Sequence, residues 1–147
     1  MKRNGTSRDP LSTLGSPSGK AIPVLRQQEL RIGNLLKNKK GRLFVVTAAN
    51  IGKIADSLSA YRPVVLTDQL LRSCGICRSS KGNKYCMDVF DGYYFMFTGR
   101  IGMMYKVDLG TIGHPIRYIH QLQNLYYSLT GRELRVIADK NDQSDAL

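Results

Sequence analysis

The sequence has no long run of apolar residues. A helix that crosses a bilayer needs roughly 18 or more consecutive, mostly apolar residues, and no segment of the 147 residues approaches this length. The first twenty residues are charged and rich in Gly, Ser and Pro, without the apolar centre of a signal peptide. We therefore expect a protein that does not enter a membrane and that resides in the cytoplasm.

Cysteine is also scarce, with Cys74, Cys77 and Cys86 as the three thiols. An odd number in a chain long enough to bury a core argues against a framework of disulfide bonds. Cys74 and Cys77 form a CxxC motif, but structural zinc needs four ligands, usually in two close pairs, and no second CxxC, HxxxH or CxxH pair is present. We predict reduced thiols packed near a helix end, and neither a metal site nor a cofactor.

Motifs of nucleotide binding and catalysis are missing, since the chain has no Walker loop, no GxGxxG and no GxSxG. Asp88 and Asp91 flank a predicted hairpin turn, where Asp91 beside Gly92 is a typical turn residue. His114 and His120 have no nucleophile at a defined spacing, and packing or hydrogen bonding explains His120 beside an apolar helix face. We expect no enzymatic activity; the alternative is a site whose catalytic residues converge from distant segments.

Acidic residues are few relative to basic ones. The chain has 22 Lys and Arg against 11 Asp and Glu, which gives a formal net charge of +11 and a pI near 9.8. Most of the excess lies between Arg31 and Met87, where eleven basic residues are opposed only by Asp56 and Asp68. Such a field attracts phosphate polymers and acidic surfaces. The alternative is that the charge only keeps a small protein soluble.

Length and composition indicate one domain, because 147 residues with 42% hydrophobic content bury one core. The start, MKRNGTSRDPLSTLGSPSGK, shows no apolar periodicity, and we predict a disordered basic tail over residues 1–20. Residues 21–138 are the predicted α+β domain, and residues 139–147 a predicted disordered polar tail.

Alternating and β-branched residues predict a series of strands. A Lys-rich turn over residues 37–41 joins the first two, and Asp91-Gly92 is the residue pair typical of a type I′ hairpin turn. A second turn over residues 99–102 continues the meander. The predicted strands cover residues 30–36, 42–48, 84–90, 93–97 and 103–109, with a short extended stretch at 62–67 and a last short strand at 134–138.

Two helices are predicted. Thr67 caps a short middle helix over residues 68–74 that stops at Gly75. A C-terminal helix has Pro115 in its first turn and ends at Gly131. Its apolar face carries Ile119, Leu122, Leu125, Tyr126 and Leu129 at helical spacing. These elements predict an α+β fold, a small antiparallel β meander or partly open barrel with a short middle helix and an amphipathic C-terminal helix.

Three stretches carry a resemblance to a known group of proteins. They are LRIGN at residues 30–34, RPVVLT at residues 62–67 leading to Cys74-Gly75, and residues 116–134 with the run HQLQNLY. In this order the chain resembles a family of short uncharacterised proteins encoded by bacteriophages and mobile elements, over residues 30–137. The resemblance implies a mobile-element origin in a bacterial host and no activity for any residue. Most members carry an acidic residue at the position of Arg132.

The first functional hypothesis is a module that binds DNA or RNA without reading sequence. Two basic clusters support it, together with Tyr85, Tyr93 and Tyr94, which stack on bases if they are exposed. The alternative for these rings is packing in the core or across strands. The predicted nucleic-acid-binding residues are Lys37, Lys39, Lys40, Arg42, Arg78, Lys81 and Lys84.

The second hypothesis is an accessory protein that binds a host protein as an inhibitor or adaptor. Its contact surface would be the polar face of the last helix, although amide-rich faces are usually just solvated. A minor virion component is a third option, which the sequence does not separate from the other two. The predicted partner-binding residues are Gln121, Gln123, Asn124 and Tyr127.

Overall fold

A computed structural model describes residues 23–80, 84–107 and 109–137. The predicted tails at residues 1–20 and 139–147 lie outside these ranges. The described residues form a three-stranded sheet, a five-stranded sheet and three α-helices. All strand pairs are antiparallel. The predicted α+β fold is therefore confirmed.

The smaller sheet has the strand order β2-β1-β3. Its strands are β1 (Leu35–Asn38), β2 (Leu43–Val45) and β3 (Tyr61–Pro63). Helix α1 (Ile51–Asp56) connects β2 to β3 and places Ile54 under one face of the sheet. There it packs with Leu25, Leu36 and Val46, all of which are buried. This cluster fixes the β1–β2 hairpin, whose tip is the Lys-rich turn.

The first predicted strand, residues 30–36, is wrong over residues 30–34 and confirmed at Leu35 and Leu36. The chain makes a 3-10 turn at Gln27–Glu29, and the side chain of buried Asn34 accepts a 2.7 Å hydrogen bond from the Arg31 N–H. Gly33 has a φ of 92°, which glycine adopts without strain. This local turn prevents strand pairing, so the first strand begins only at Leu35 and includes Lys37.

Two further elements of the first half differ from the prediction. The strand predicted over residues 42–48 shortens to Leu43–Val45, because the Asn50 side chain accepts from the Thr47 N–H at 2.8 Å and turns the chain. Helix α1 follows directly and was not predicted. Gly52 within it weakens the helical signal of a segment only six residues long.

The larger sheet is a meander with the strand order β4-β5-β6-β7-β8. Asp91 and Gly92 have φ values of 44° and 73°, as the predicted type I′ turn requires. The next turn occupies Gly99 and Arg100 only, so the following strand begins at Ile101, two residues earlier than predicted. The strands are β4 (Cys77–Arg78), β5 (Lys84–Phe90), β6 (Tyr93–Thr98), β7 (Ile101–Lys106) and β8 (Gly110–Ile116).

One face of the meander packs against helix α3 (Ile119–Thr130). Phe95 and Phe97 on β6 have no exposed surface, and Ile119 and Leu122 of α3 meet them in the main core. Leu35 of the first sheet belongs to the same cluster. The two sheets therefore share a core, with α3 between them.

Both predicted helix ends at glycine are confirmed, while the predicted start of the last helix is wrong. Helix α2 (Asp68–Ser73) begins after Thr67, whose hydroxyl accepts from the Leu70 N–H, and Gly75 beyond it has a φ of 74°. Helix α3 ends at Gly131, with a φ of 67°. Pro115 lies in β8 instead of the helix, and this seven-residue strand was not predicted.

The last strand, predicted over residues 134–138, is absent from the described part of the chain. Residues 133–137 run outside both sheets, and the Ile137 N–H donates to the Ser73 carbonyl oxygen at 2.9 Å. Ala138 lies outside the described residues. The segment packs Leu134 into the main core as an irregular strap instead of a strand.

Candidate functional site

The first basic cluster lies at the tip of the β1–β2 hairpin. Lys39, Lys40 and Arg42 are exposed, and Lys37 lies half-buried in β1. The Asn38 side chain accepts from the backbone N–H groups of Lys40 and Arg42 at 2.9 and 3.0 Å, which fixes the turn. Among the described residues, no carboxylate pairs with these four cations. The turn therefore presents its charge to solvent.

The second basic cluster belongs to the other sheet. Arg78 ends β4 and Lys84 begins β5, and both side chains are exposed. Lys81 lies outside the described residues. The two basic clusters thus lie on two different sheets.

The outer face of the meander carries aromatic side chains. Tyr94 of β6 and Tyr105 of β7 are register partners, and their rings stack with centroids 5.4 Å apart at 14°. Both are half-buried and alternate with core residues, so they point away from α3. Lys84 and Thr98 are exposed on the same face. A stacked aromatic pair thus lies on the side of the sheet that the helix does not cover, with Asp88 as the register partner of Tyr94 and Lys84 as that of Thr98.

Two of the three predicted stacking tyrosines have other roles. Tyr85 is buried at 3% exposure, and its hydroxyl accepts a 3.0 Å hydrogen bond from Arg72 Nε, so it does not reach a base. This bond also raises the pKa of Arg72. Tyr93 stacks on Phe90 with centroids 5.1 Å apart, and the Lys106 ammonium lies 4.8 Å from its ring centre. Only Tyr94 belongs to the outer-face pair.

The predicted partner-binding face of α3 is wrong for its two central amides. Gln123 is 3% exposed and accepts from the Leu35 N–H at 2.9 Å, while its amide group donates to the carbonyl oxygens of Gly33 and Leu134. Asn124 donates to the Glu29 carbonyl oxygen at 2.7 Å. Both side chains fasten the N-terminal segment to the helix and are not free to contact a partner.

The two outer members of that predicted face are also engaged within the chain. Gln121 Oε1 accepts from the backbone N–H groups of Arg117 and Tyr118, which caps the start of α3. Tyr127 is 41% exposed, and the Arg31 guanidinium lies 4.2 Å from its ring centre. Arg31 also binds both carboxylate oxygens of Glu133 at 2.6 and 3.0 Å.

This Arg31 ion pair changes the titration of both partners. The hydrogen bond from Arg31 holds the pKa of Glu133 below its usual value, and the same bond raises the pKa of Arg31. Arg31 Nε additionally donates to Asn124 Oδ1 at 3.1 Å, and Asn34 Nδ2 donates to the same oxygen at 2.7 Å. The amide and charged groups form one network between α3 and the start of β1.

His120 is fully buried beside this network. Its Nε2 lies 3.4 Å from Glu29 Oε2, and its Nδ1 has no hydrogen-bond partner in the described part of the chain. Burial lowers the pKa of His120 below its ordinary value of 6.5, against the opposing effect of Glu29. The ring is therefore neutral at pH 7 and occupies a structural position.

We expect the fold to lose stability as the pH falls below 6.5, the ordinary pKa of histidine. The unfolded chain takes up a proton on His120 more readily than the folded chain, so this stabilisation is complete above that pH and is lost below it. His120→Leu should flatten the profile of unfolding free energy between about pH 7 and 5, whereas His114→Leu, at an exposed position, should leave it unchanged. An unchanged profile in His120→Leu would contradict the assignment.

The three cysteines are free thiols in different surroundings. Cys74 and Cys86 are half-buried and Cys77 is exposed. Burial raises the pKa of the Cys74 thiol to about 11. Across the described ranges, no group of three or more His, Cys, Asp and Glu side chains is close enough to hold a metal ion. None of the described helices has the length and apolar character required to span a bilayer.

Comparison of the chain with protein-family models, curated proteins and solved structures gives no significant match.

Proposed function

We propose that this chain is a non-enzymatic accessory protein of a phage or mobile element that binds single-stranded nucleic acid without sequence preference in the bacterial cytoplasm. The observation that carries the proposal is the stacked pair of Tyr94 and Tyr105 on the outer face of the meander. Aromatic rings on an open sheet are surfaces on which unpaired bases stack, and stacking tolerates any base.

The charge distribution supplies the second element of such a site. Lys84 lies on the same face as the tyrosine pair, and Arg100 is exposed in the turn between β6 and β7. The exposed Lys39 and Lys40 on the other sheet provide further phosphate contacts. Because phosphate contacts contribute affinity and carry no sequence information, these cations fit binding without base readout.

Direct stacking is tested by fluorescence anisotropy with a labelled oligothymidylate and an oligouridylate. Tyr94→Leu combined with Tyr105→Leu should weaken binding by about 1–3 kcal/mol for each stacked base. Tyr127→Leu on helix α3 is the matched control and should bind like the unmodified chain. If the Tyr127 variant binds nucleic acid more weakly than the Tyr94 and Tyr105 variant, the outer face is not the site.

Phosphate contact is tested by the salt dependence of the same binding. For single strands, each neutralised phosphate contributes about −0.7 to the slope of log affinity against log salt. Reversing Lys39 and Lys40 to Glu should therefore flatten the slope by about 1.4. Absence of binding at low salt, where non-specific attraction is strongest, would exclude the proposed function and leave the +11 charge as a feature of solubility.

A host-protein-binding role through α3 receives less support. Its two central residues, Gln123 and Asn124, make hydrogen bonds inside the chain. The nucleic-acid proposal uses side chains that remain accessible, and it is therefore the one that the geometry favours.

A further inference from the structure

The CxxC motif does not bring its two thiols to one side of the fold. Cys74 follows α2 and packs against the main core. Cys77 is exposed on β4, and its register partner across the strand pair is Cys86 of β5. The fold thus replaces the cysteine pair visible in the sequence with a pair that spans two strands.

The sulfur atoms continue in a row across the sheet. Cys86 is the register partner of Met96 on β6, and Met96 is the register partner of Met103 on β7. These residues alternate with core-facing ones, so they share the outer face. Neighbouring strands lie about 4.8 Å apart, which places two thiols and two thioethers side by side.

The spacing of the two cysteines favours a bridging ion over a disulfide bond. The Ser79 N–H donates to the Lys84 carbonyl oxygen at 2.8 Å, and hydrogen-bonded pairs alternate along an antiparallel ladder. Cys77 and Cys86, two positions further, are therefore also a hydrogen-bonded pair, the kind with the wider separation. Their Cβ atoms are then about 5.5 Å apart, whereas a disulfide needs roughly 3.5–4.5 Å.

We propose that Cys77 and Cys86 bind one Cu(I) ion as thiolates, with the thioether of Met96 as a third ligand. A metal ion between two sulfurs suits the wider gap, because each metal–sulfur bond is about 2.3 Å long. Thiolate and thioether donors together select Cu(I), whereas structural zinc needs four nitrogen or sulfur ligands of a kind that methionine does not supply. This inference does not depend on nucleic-acid binding.

Binding changes the charge of the cysteine pair. The Cys77 thiol is exposed and donates a 3.8 Å hydrogen bond to the Gly75 carbonyl oxygen. Binding replaces the two S–H protons by Cu(I) and releases both to solvent. The resulting bis-thiolate carries one negative charge, and the exposed Lys84 and Asp88 lie on the same face of β5, two residues to either side of Cys86.

The test is an anaerobic titration of the reduced full chain with Cu(I) in competition with bicinchoninate. We expect the protein to take one ion per chain from the chelator, with copper–thiolate absorption in the near ultraviolet. Cys77→Ser and Cys86→Ser should abolish this competition, while Met96→Leu should keep the stoichiometry and shift the equilibrium towards the chelator. Far-ultraviolet circular dichroism shows whether each variant is folded. Because Cys77 is exposed, Cys77→Ser removes a ligand without removing a packed side chain.

Cys74→Ser and Met104→Leu are the matched controls, because both side chains pack against the core. Both should compete with bicinchoninate like the unmodified chain. Failure of the unmodified chain to compete would overturn the site. So would loss of binding in Cys74→Ser with retention in Cys86→Ser, which would assign the ion to the CxxC motif.

Discussion

Replacing Gln123 with methionine is expected to lower the free energy of unfolding by about 3 kcal/mol or more, since each buried polar group left unpaired costs about 1–3 kcal/mol. Three backbone groups lose their partner, namely the Leu35 N–H and the carbonyl oxygens of Gly33 and Leu134. Methionine has nearly the volume of glutamine, so no large cavity adds to the effect. Urea unfolding followed by circular dichroism measures the difference.

Gln69→Met is the matched control for this variant. Gln69 is exposed on helix α2, and exchanges at exposed positions usually change stability by no more than about 0.5 kcal/mol. If Gln123→Met and Gln69→Met unfold at the same urea concentration, water satisfies the three backbone groups and the amide does not hold the N-terminal segment.

Gly102→Ala is expected to destabilise the fold by about 1–3 kcal/mol, the usual effect of overpacking. A Cβ at this position would lie 2.5 and 2.6 Å from Cε1 and Cδ1 of Phe97. Phe97 has no exposed surface, so its ring has little room to move. Gly102, the second residue of β7, is therefore required by the ring on the neighbouring strand, and thermal or urea unfolding measures the effect of its replacement.

Two variants test whether the contact with the Phe97 ring causes the loss of stability in Gly102→Ala. Gly52→Ala lies within helix α1, where an added Cβ meets no atom within 4 Å. It should be neutral or stabilise by up to about 1 kcal/mol, because alanine has the higher helix propensity. In a double-mutant cycle, Phe97→Leu should lessen the effect of Gly102→Ala by making room for the methyl group. Strictly additive effects would show that the two side chains do not compete for space.

The parts of the fold set by local turn chemistry could be predicted from the sequence. The Asp91-Gly92 hairpin, the Thr67 cap and the glycine ends of both predicted helices each depend on neighbouring residues only, and all are confirmed. The phase of the α3 apolar face was also correct, since Leu122 is fully buried.

The polar side of α3 could not be predicted in the same way. Hydropathy assigns Gln123 and Asn124 to solvent, because a sequence pattern does not show that unpaired backbone groups from residues 29–35 will meet them. Those groups exist because the Asn34 side chain turns the chain before β1. Within the run HQLQNLY, Gln123 and Asn124 thus fasten the N-terminal segment to α3.

For the candidate site, the exposed cations of the hairpin tip could be predicted, while Tyr105 was missed. The signal was present, since alternation along β7 places Tyr105 beside Tyr94 once the turn is confined to Gly99 and Arg100. A turn predicted two residues too long left the register of this strand unassigned. The row of sulfur atoms was invisible for the same reason, because it exists only in the cross-strand register.

The hydrogen bonds between α3 and the N-terminal segment delay folding during synthesis on the ribosome. Gln123 is 88 residues beyond Leu35, and Asn124 is 93 beyond Arg31. At about 5–20 residues synthesised per second, Gln123 and Asn124 are synthesised roughly 4–18 s after the residues that they hold. The entropy cost of closing such long loops comes before the stabilisation that these hydrogen bonds provide. This cost slows folding. A nascent chain therefore acquires its stable form in one late step, when the final helix has emerged.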